Sequence, residues 1–510
     1  MGRYCYLQFT DCHNNHNKYY IIMENDDYSI DVNYGRVGGS EQHHHYDPYE
    51  KDFDSLKWSK EDKGYIDVTH LHESTVEVRT ENTEYKPIKN EAINNMIQEI
   101  RDASVQFMKK YYTVKAQDVT QKMIDEAYVV IQQLKDNTTN TYRFNHQLED
   151  LFNKVPRKMN KVSEYIAKDE KDFDKIIERE EELLDSLEKI VQSQKSDVKN
   201  DQKATSNKTI LEANDLVIRP VTFEEEDYIL QKLKEKTSQG RSNEDNYIRA
   251  YKVDNKQTEK AFKAFCKDNK LKTHKGTHFY FHGTKFENLW SIFKTGLTVN
   301  PKAATTGKAF GNGIYFAEQS EKSLGYTNIA GKSKWGVSGN RNTSYLLMYE
   351  VATGKSEIAH NCHRYTLKEI TAKGCQSVYA PDRGHGGCFY NSEIMVYRDD
   401  QCTIRYMIEI DSYTHKYTIS YTDRMKIRLK KEDITVKKGR GTVNFIFKNP
   451  LDAGEMKVTY KKSTGLISKI TVDDTENKSL SNWDKKWLLS IIERAYVNSP
   501  DDWDNEVEKF

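Results

Sequence analysis

The strongest constraint on the fold of this chain is a change of hydrophobic period along its 510 residues. Residues 4–9 and 18–23 are rich in strand formers and are separated by a polar turn. Apolar side chains then recur at helical spacing through residues 89–195, and short alternating stretches return in residues 413–510. This succession predicts an α+β chain of several domains, in which strand-rich and helical segments follow one another.

Composition agrees with several modest domains. A chain of 510 residues corresponds to about three or four domains of ~100–200 residues each, and 36% of hydrophobic residues is low for one large core. Lys and Arg together number 78, as do Asp and Glu, so net charge indicates no class of partner and any basic patch must be local. Seven cysteines without a C-x-x-C pair predict a reducing, intracellular setting, with neither a zinc ribbon nor a disulfide framework. No signal peptide or membrane-spanning apolar run is visible.

The helical segment can be divided at local signals. Thr120 is a suitable N-cap for a helix over residues 121–134, and the next helix is expected to stop before Pro156. A longer amphipathic helix is predicted around residues 176–190, where Glu and Lys form a solvated face. The Lys, Ser, Asn and Asp of residues 193–208 predict a linker.

The middle of the chain combines residues suited to hold nicotinamide, an aromatic amide attached to a ribose. A glycine lets backbone approach a ligand because it has no Cβ, a neighbouring histidine can reach a ribose hydroxyl, and tyrosines offer stacking faces. These residues stand in His278-Phe-Tyr-Phe-His-Gly-Thr284, Gly311-Asn-Gly-Ile-Tyr-Phe316, Lys322-Ser323, Tyr326 and Asn391-Ser-Glu-Ile-Met-Val-Tyr397. Each motif alone is common, whereas their joint order is specific.

Read together, His282, Tyr315 and Glu393 resemble the His-Tyr-Glu triad of the poly(ADP-ribose) polymerase family. The resemblance implies a mixed α/β, split-sheet ADP-ribosyltransferase domain over residues 209–412. It also implies that NAD+ is consumed as a substrate, so no cofactor and no metal are expected. Because no second ligand cluster accompanies it, the run His43-His44-His45 is predicted to be an exposed loop and not a metal site.

The resemblance implies a role for each part of an NAD+ site. Gly283 would supply a backbone N–H and C=O for the carboxamide, and Ser323 would supply a hydroxyl. Tyr315 and Tyr326 would sandwich the nicotinamide ring, with roughly 0.5–2 kcal/mol of stacking and cation–π attraction. His282 would bind the 2′-OH of the adenine-side ribose. The same site is expected to include Thr284, Phe316 and Lys322.

Glu393 has the most specific implied role. Its carboxylate would accept a hydrogen bond from the 2′-OH of the nicotinamide ribose, stabilise developing positive charge and help to orient or deprotonate an acceptor hydroxyl. A glutamate at this position favours polymer formation over single transfer. The chain departs from the family pattern at Thr284, in one extra residue between Tyr390 and Glu393, and in residues 300–308. These departures bear on acceptor choice more than on NAD+ binding.

Two further segments resemble domains that accompany such transferases. The strands leading into Tyr34-Gly35-Arg36 resemble the WGR domain, with Tyr34 in place of the signature Trp, so residues 1–88 are expected to bind DNA through these three residues. The helices of residues 89–208 resemble the helical regulatory domain of DNA-activated members. Without the resemblance, a small β domain and a generic helical bundle would explain the same patterns.

Residues 413–510 resemble no family that we recognise and are predicted to form an accessory domain of strands and one helix. One predicted strand has an apolar face opposite a basic face of Arg424, Lys426, Arg428 and Lys430. The basic face could contact nucleic-acid phosphates. A small stabilising or protein-binding domain is the simpler interpretation.

The sequence therefore predicts an NAD+-consuming ADP-ribosyltransferase, stimulated by DNA breaks, that modifies proteins, itself and a growing polymer. The expected partners are NAD+, DNA ends or nicks and protein acceptors, without a membrane. Three alternatives stay open: a mono-ADP-ribosyltransferase, a weakly active NAD- or DNA-binding scaffold, and an RNA 2′-phosphotransferase. Glu393 disfavours the last two. The expected location is the nucleus for a eukaryotic source and the cytoplasm for a bacterial one.

Overall fold

The computed structural model describes residues 3–72, 85–136, 140–159, 161–201, 208–237, 239–273, 275–299, 308–331, 341–412, 429, 431–448, 454–463, 466–476 and 482–495. Two units divide the chain. The first comprises Met1–Thr83, Asp102–Gln202 and Pro301–Thr306, and the second comprises Glu84–Arg101, Lys203–Asn300 and Gly307–Phe510.

The N-terminal part of the first unit is an antiparallel sheet with one helix. The elements are β1 (Tyr4–Asp11), β2 (His16–Glu24), β3 (Ile30–Arg36), β4 (Glu41–Tyr46), α1 (Phe53–Glu61) and β5 (Ile66–Asp67). The strand order is β4-β3-β2-β1-β5, and the predicted strands at residues 4–9 and 18–23 are confirmed. Alternating side chains bury a small core of Cys5, Leu7, Tyr20, Ile22, Ile30, Val32 and Phe53.

The three consecutive histidines lie in a strand, so the predicted loop is wrong. His43, His44 and His45 belong to the exposed edge strand β4, which pairs with β3. Backbone pairing with β3 and the carboxylate of Asp31, which contacts His43 Nε2 at 3.2 Å and His45 Nδ1 at 2.7 Å, hold this strand.

The helical segment follows as α2 (Glu91–Tyr111), α3 (Gln121–Asp136), α4 (Thr141–Lys154) and α5 (Phe173–Asp201). As predicted, α3 begins directly after Thr120, whose Oγ1 accepts a hydrogen bond from the Met123 backbone N–H at 3.2 Å, and α4 ends before Pro156. The predicted linker is wrong for residues 193–201, because α5 continues through them. Lys, Gln and Ser are compatible with a helix, so polar composition alone does not end one.

The sheet and the helices of the first unit share one core. Cys12, in the turn after β1, lies in the same buried cluster as the apolar faces of α3, α4 and α5. The Cys12 N–H donates to the Glu149 carboxylate at 2.9 Å, and the buried Asn17 side chain donates to the carbonyls of Arg157 and Met159 at 3.0 and 3.1 Å. The hydrophobic periodicity of the N-terminal strands and of the helical segment does not predict that they share a core.

The second unit carries most of the remaining elements. Its helices before residue 412 are α6 (Ile210–Ala213), α7 (Phe223–Lys234), α8 (Lys256–Asp268), α9 (Leu289–Thr295), α10 (Ser320–Leu324) and α11 (Leu367–Ala372). Its strands there are β6 (Leu216–Pro220), β7 (Tyr247–Asn255), β8 (Lys272–Thr273), β9 (Gly276–His282), β10 (Ile314–Phe316), β11 (Thr343–Ala352), β12 (Ser356–Ile358), β13 (Ser377–Ala380), β14 (Glu393–Val396) and β15 (Cys402–Asp411).

These strands form two sheets. The larger has the order β6-β7-β15-β11-β9-β8, and the smaller has the order β10-β14-β13-β12. Almost every residue of β11 and β15 is buried, as expected for strands covered on both faces. The predicted mixed α+β class is confirmed by this arrangement together with the N-terminal sheet.

The C-terminal residues of the second unit form a separate antiparallel sheet and a helix. The elements are β16 (Thr435–Lys438), β17 (Thr442–Lys448), β18 (Glu455–Lys461), β19 (Leu466–Val472), β20 (Thr475–Glu476) and α12 (Asn482–Ala495). Helix α12 lies against β6 and β7 of the larger sheet, and its Leu488, Ile491 and Ala495 are buried. The predicted basic face of Arg424, Lys426, Arg428 and Lys430 lies outside the described residues.

Candidate active site

Three strands bring the principal predicted residues into one region. His282 is the last residue of β9, Tyr315 is the central residue of β10, and Glu393 is the first residue of β14. Strand β10 pairs antiparallel with β14. Just beyond β10, the Ala317 backbone exchanges two hydrogen bonds with Phe281 at 2.8 and 2.9 Å. Backbone pairing therefore joins three motifs that are far apart in the sequence.

The imidazole of His282 is oriented by the backbone of β10. Its Nδ1 lies 2.9 Å from the Tyr315 carbonyl oxygen. Because a carbonyl oxygen only accepts, Nδ1 carries the hydrogen, and Nε2 of the neutral ring is an acceptor. The rings of Phe316 and Tyr349 pack against the imidazole at centroid distances of 5.8 and 6.0 Å.

Gly283 stands where no side chain fits. A Cβ placed on it would lie 1.7 Å from the carbonyl oxygen of Ser323. The segment after β9 therefore runs directly against α10, and the buried Ser323 lies beside the Gly283 backbone. Such close approach is the geometry for which glycine is suited.

The Tyr315 side chain is anchored by the loop that precedes β10. Its hydroxyl donates to the Gly311 carbonyl at 2.8 Å and accepts from the Phe310 N–H at 3.0 Å. Burial raises the pKa of the phenol above its usual range. Gly311 has a φ of +92°, and a Cβ there would lie 2.2 Å from the Tyr365 carbonyl oxygen. The loop conformation that holds Tyr315 therefore requires glycine at 311.

An ion pair joins the partly buried Lys322 of α10 to the buried Glu393. The Lys322 ammonium also donates to the carbonyls of Asn391 and Ser392 at 3.3 and 3.4 Å, and it lies 5.6 Å from the centre of the Phe389 ring. Burial lowers the pKa of Lys322, and the neighbouring carboxylate partly offsets this shift. Glu393 is only 8% exposed, so its carboxylate is held in place by protein contacts.

The other predicted residues have different surroundings. Thr284 is buried, and its hydroxyl accepts from the Asn288 amide at 3.4 Å. Phe316 is buried in the sheet region, with its ring 5.6 Å from that of Tyr349. Tyr326 lies in the turn after α10 and is 38% exposed. Tyr326 therefore offers an accessible ring, whereas Phe316 packs inside the protein.

Sequence reasoning missed a second carboxylate in this region. Glu318 follows β10 and accepts hydrogen bonds from the hydroxyls of Ser392 and Tyr379, the latter at 3.3 Å. Its position directly after the Gly-Ile-Tyr-Phe-Ala motif is the only signal in the sequence. The pairing of β13 with β14, which brings Tyr379 opposite Ile394, cannot be derived from that motif.

The three residues expected to bind DNA lie in the first unit, at the end of β3. The Arg36 guanidinium donates to the Asn15 carbonyl at 2.7 Å. The Tyr34 ring lies 5.6 Å from that of Tyr20. A Cβ on Gly35 would lie 2.7 Å from the Ser40 carbonyl oxygen. These contacts pack the end of β3 against β2, the turn before β2 and the turn that leads to β4.

The described residues show neither a metal-ligand cluster nor a membrane-spanning helix. Among the described side chains, no three of His, Cys, Asp or Glu come together as metal ligands. The seven cysteines are unpaired, with Cys362 and Cys388 closest at 3.1 Å between their sulfur atoms. None of the described helices combines the length and apolar character needed to cross a bilayer.

Comparison with protein families gives two matches. Residues 224–412 match the poly(ADP-ribose) polymerase catalytic domain, and residues 3–71 match the WGR domain. The first match contains His282, Tyr315 and Glu393. The second contains the five-stranded N-terminal sheet.

Individual relatives support the same family. The poly(ADP-ribose) polymerase-like protein 100L of Invertebrate iridescent virus 6 is 31% identical over 185 residues, which cover 33% of this chain and 94% of the viral protein. The mono-ADP-ribosyltransferase PARP3 of Mus musculus is 27% identical over 164 residues, covering 26% of this chain and 28% of that protein. Human poly(ADP-ribose) polymerase 2 is 41% identical over 76 residues, covering 15% of this chain and 12% of that protein. The chain thus spans nearly all of the viral relative and less than a third of the two animal proteins.

Proposed function

Because this chain belongs to the poly(ADP-ribose) polymerase family, we propose that His282, Tyr315 and Glu393 form the site at which it cleaves NAD+. The enzyme is an NAD+ ADP-ribosyltransferase, with NAD+ as its substrate. The observation that carries the proposal is the buried carboxylate of Glu393 at the start of β14, paired with Lys322 in the same region as His282. A fixed carboxylate with little water around it is suited to stabilise a cation that develops during reaction.

The proposed reaction breaks the bond between the nicotinamide nitrogen and ribose C1′, and nicotinamide leaves with the bonding electron pair. The ribose acquires oxocarbenium character, an acceptor oxygen forms the new bond to C1′, and the acceptor's proton is released to water. Glu393 accepts a hydrogen bond from the ribose 2′-OH, so its negative charge lies near the developing positive charge. Lys322 holds this carboxylate in place.

The remaining site residues bind and orient NAD+ in this proposal. The Gly283 backbone and the Ser323 hydroxyl hold the carboxamide, and the rings of Tyr315 and Tyr326 stack on nicotinamide. His282 binds the adenine-side ribose through Nε2, since Nδ1 is engaged by the Tyr315 carbonyl. Thr284 and Phe316 support the site from buried positions. Lys322 acts through Glu393 and not on NAD+ directly.

We also propose that DNA ends or nicks stimulate the enzyme. The match of residues 3–71 to the WGR domain supports a DNA-binding role for the N-terminal sheet, including Tyr34, Gly35 and Arg36. In this proposal the helices of residues 89–208 regulate the transferase of residues 209–412 by a shift between two conformational populations. Residues 413–510 then form an accessory domain. The proposed location is intracellular, nuclear in a eukaryote and cytoplasmic in a bacterium.

Transfer of single ADP-ribose units is the second candidate, because the mouse relative is a mono-ADP-ribosyltransferase by name. Polymer formation is favoured by Glu393, whose carboxylate can orient the hydroxyl of a growing chain. The two candidates share NAD+ cleavage and differ only in the acceptor.

Incubation with labelled NAD+, with and without a nicked or blunt DNA carrying a 5′-phosphate, tests the proposal on a gel. We expect a high-mass smear that appears only with DNA. A single discrete band would establish mono-transfer. Absence of label in both conditions, with NAD+ still bound, would contradict the proposed activity of this site.

A further inference from the structure

A hydrogen-bonded cluster lies directly beside Glu393 in the sequence and in the fold. The Ser392 side chain has no exposed surface, and its hydroxyl donates to the Glu318 carboxylate. The Tyr379 hydroxyl donates to the same carboxylate oxygen at 3.3 Å. Hydrogen bonds to an ionised acceptor are stronger than those between neutral groups.

The cluster ties together three elements that surround the site. Glu318 follows β10 and is adjacent to Ala317, whose backbone is bonded to Phe281 at the end of β9. Tyr379 belongs to β13 and stands opposite Ile394 of β14. Ser392 is the last residue before β14. One carboxylate therefore connects the end of β10, the middle of β13 and the start of β14.

This connection bears on the orientation of Glu393. In extended backbone, successive side chains point to opposite sides, so fixing the Ser392 side chain also fixes the direction of its neighbour. The Lys322 ammonium, with its three donors, bonds to oxygens of Asn391, Ser392 and Glu393. Lys322 therefore binds residues 391–393 through two carbonyl oxygens and the Glu393 carboxylate, and Glu318 binds the Ser392 hydroxyl of the same segment.

We propose that Ser392 and Glu318 are positioning residues for the Glu393 carboxylate, with Tyr379 as the second donor to Glu318. The inference rests on the role of Glu393 proposed above. Loss of the Ser392–Glu318 hydrogen bond leaves NAD+ binding intact and lets Glu393 move away from the position that the ribosyl cation requires. Displacements of this kind lower the rate of the chemical step more than they weaken substrate binding.

A double-mutant cycle on the full chain tests the proposal through nicotinamide release from NAD+. We expect Ser392→Ala and Glu318→Ala each to lower kcat about tenfold, with KM for NAD+ within about twofold of the wild type. The double variant should lose no more than Glu318→Ala alone, because that substitution already removes the Ser392–Glu318 interaction. Glu318→Gln, which keeps an acceptor oxygen, should retain most of the activity.

Ser377→Ala is the matched control. Ser377 is also fully buried, in the neighbouring strand β13, but its hydroxyl donates to the Thr353 carbonyl at 2.8 Å. The Ser377→Ala variant should lower the melting temperature as much as Ser392→Ala does, and it should leave kcat unchanged. A kcat of Ser392→Ala equal to that of the control, or losses that multiply in the double variant, would overturn the proposal.

Tyr379→Phe supplies a test that leaves the buried Ser392 and Glu318 side chains in place. It removes one hydroxyl, and we expect kcat to fall about two- to threefold with KM unchanged. An unchanged kcat would overturn the role of Glu318. Glu393→Gln is assayed in parallel: full activity of that variant would refute the proposed role of Glu393 itself. A loss in Glu393→Gln alone would refute only the positioning role of Ser392 and Glu318.

Discussion

At the scale of single residues, the motifs indicate which segments belong to one site but not how each side chain is held. Backbone pairing brings the strands that carry His282, Tyr315 and Glu393 into one region, and the roles of these residues stay predictions. Lys322 is predicted to belong to the NAD+ site, and in the structure its ammonium pairs with Glu393. That contact depends on how α10 packs against the start of β14. The contact of Glu318 with Ser392 likewise depends on how the end of β10 packs against the start of β14. Side-chain partners across a sheet edge are set by tertiary packing, which motif spacing does not encode.

Gly283→Ala tests the closest backbone approach in the site. The new Cβ would lie 1.7 Å from the Ser323 carbonyl oxygen, so the two segments must separate. We expect KM for NAD+ to rise at least tenfold, because the Gly283 backbone can no longer bind the nicotinamide carboxamide. A tenfold change corresponds to about 1.4 kcal/mol of binding free energy. Steady-state kinetics with a parallel melting curve measure this. Gly441→Ala is the control, since a Cβ at 441 meets nothing within 4 Å. An unchanged KM in Gly283→Ala would show that the Gly283 backbone does not hold NAD+.

At the scale of elements, alternation predicted the strands at residues 4–9 and 18–23, and helical spacing predicted α3, α4 and the middle of α5. The three-residue strand β10 is too short to show a period, and it is recognised only by its pairing with β14. Helix α5 passes through the expected linker because its polar residues tolerate helix. The docking of α12 on β6 and β7 was not predicted, because the tail resembles no family that could indicate its neighbours.

A buried carboxylate makes the docking of α12 depend on pH. Burial raises the pKa of Glu493 to about 7, with Arg249 opposing and Glu409 reinforcing the shift. The pKa of Glu493 is higher in the folded than in the unfolded state. Its contribution to the free energy of unfolding is therefore fully present below about pH 4.5 and is lost as pH rises through about 7. We expect melting temperature to fall over that window in the wild type and to fall less in Glu493→Gln. Exposed Glu455→Gln is the control, and identical pH profiles for all three proteins would contradict this account.

At the scale of the whole molecule, the order of segments was predicted, and their packing was not. The sequence separates a β-rich front from a helical segment, whereas the first unit joins them through a shared core around Cys12 and the contacts of Asn17. Long-range packing of this kind depends on which apolar faces meet, and a single periodic pattern allows many partners. The junction is the place at which the proposed DNA signal would pass from sheet to helices.

Asn17→Ala tests that junction. It removes the donors to the Arg157 and Met159 carbonyls and leaves buried polar groups without a partner, which costs about 1–3 kcal/mol. We expect the stimulation by 5′-phosphorylated DNA to fall several-fold while activity without DNA stays unchanged, as measured by nicotinamide release. Asn25→Ala is the control. The Asn25 side chain donates to Ser29 and Asp31, which lie just before and within β3 and not in the helical segment. Equal stimulation in Asn17→Ala and the wild type would remove the junction from the proposed pathway.

The most direct test of the central claim is Glu393→Gln, measured by NAD+ binding in a calorimeter and by transfer of label from NAD+ on a gel. Because the amide keeps the shape of the side chain and loses its charge, we expect the Kd for NAD+ to stay within about threefold and transfer to fall at least about 100-fold. Retained transfer at the wild-type rate would show that another group stabilises the ribosyl cation, and it would contradict the role assigned to Glu393.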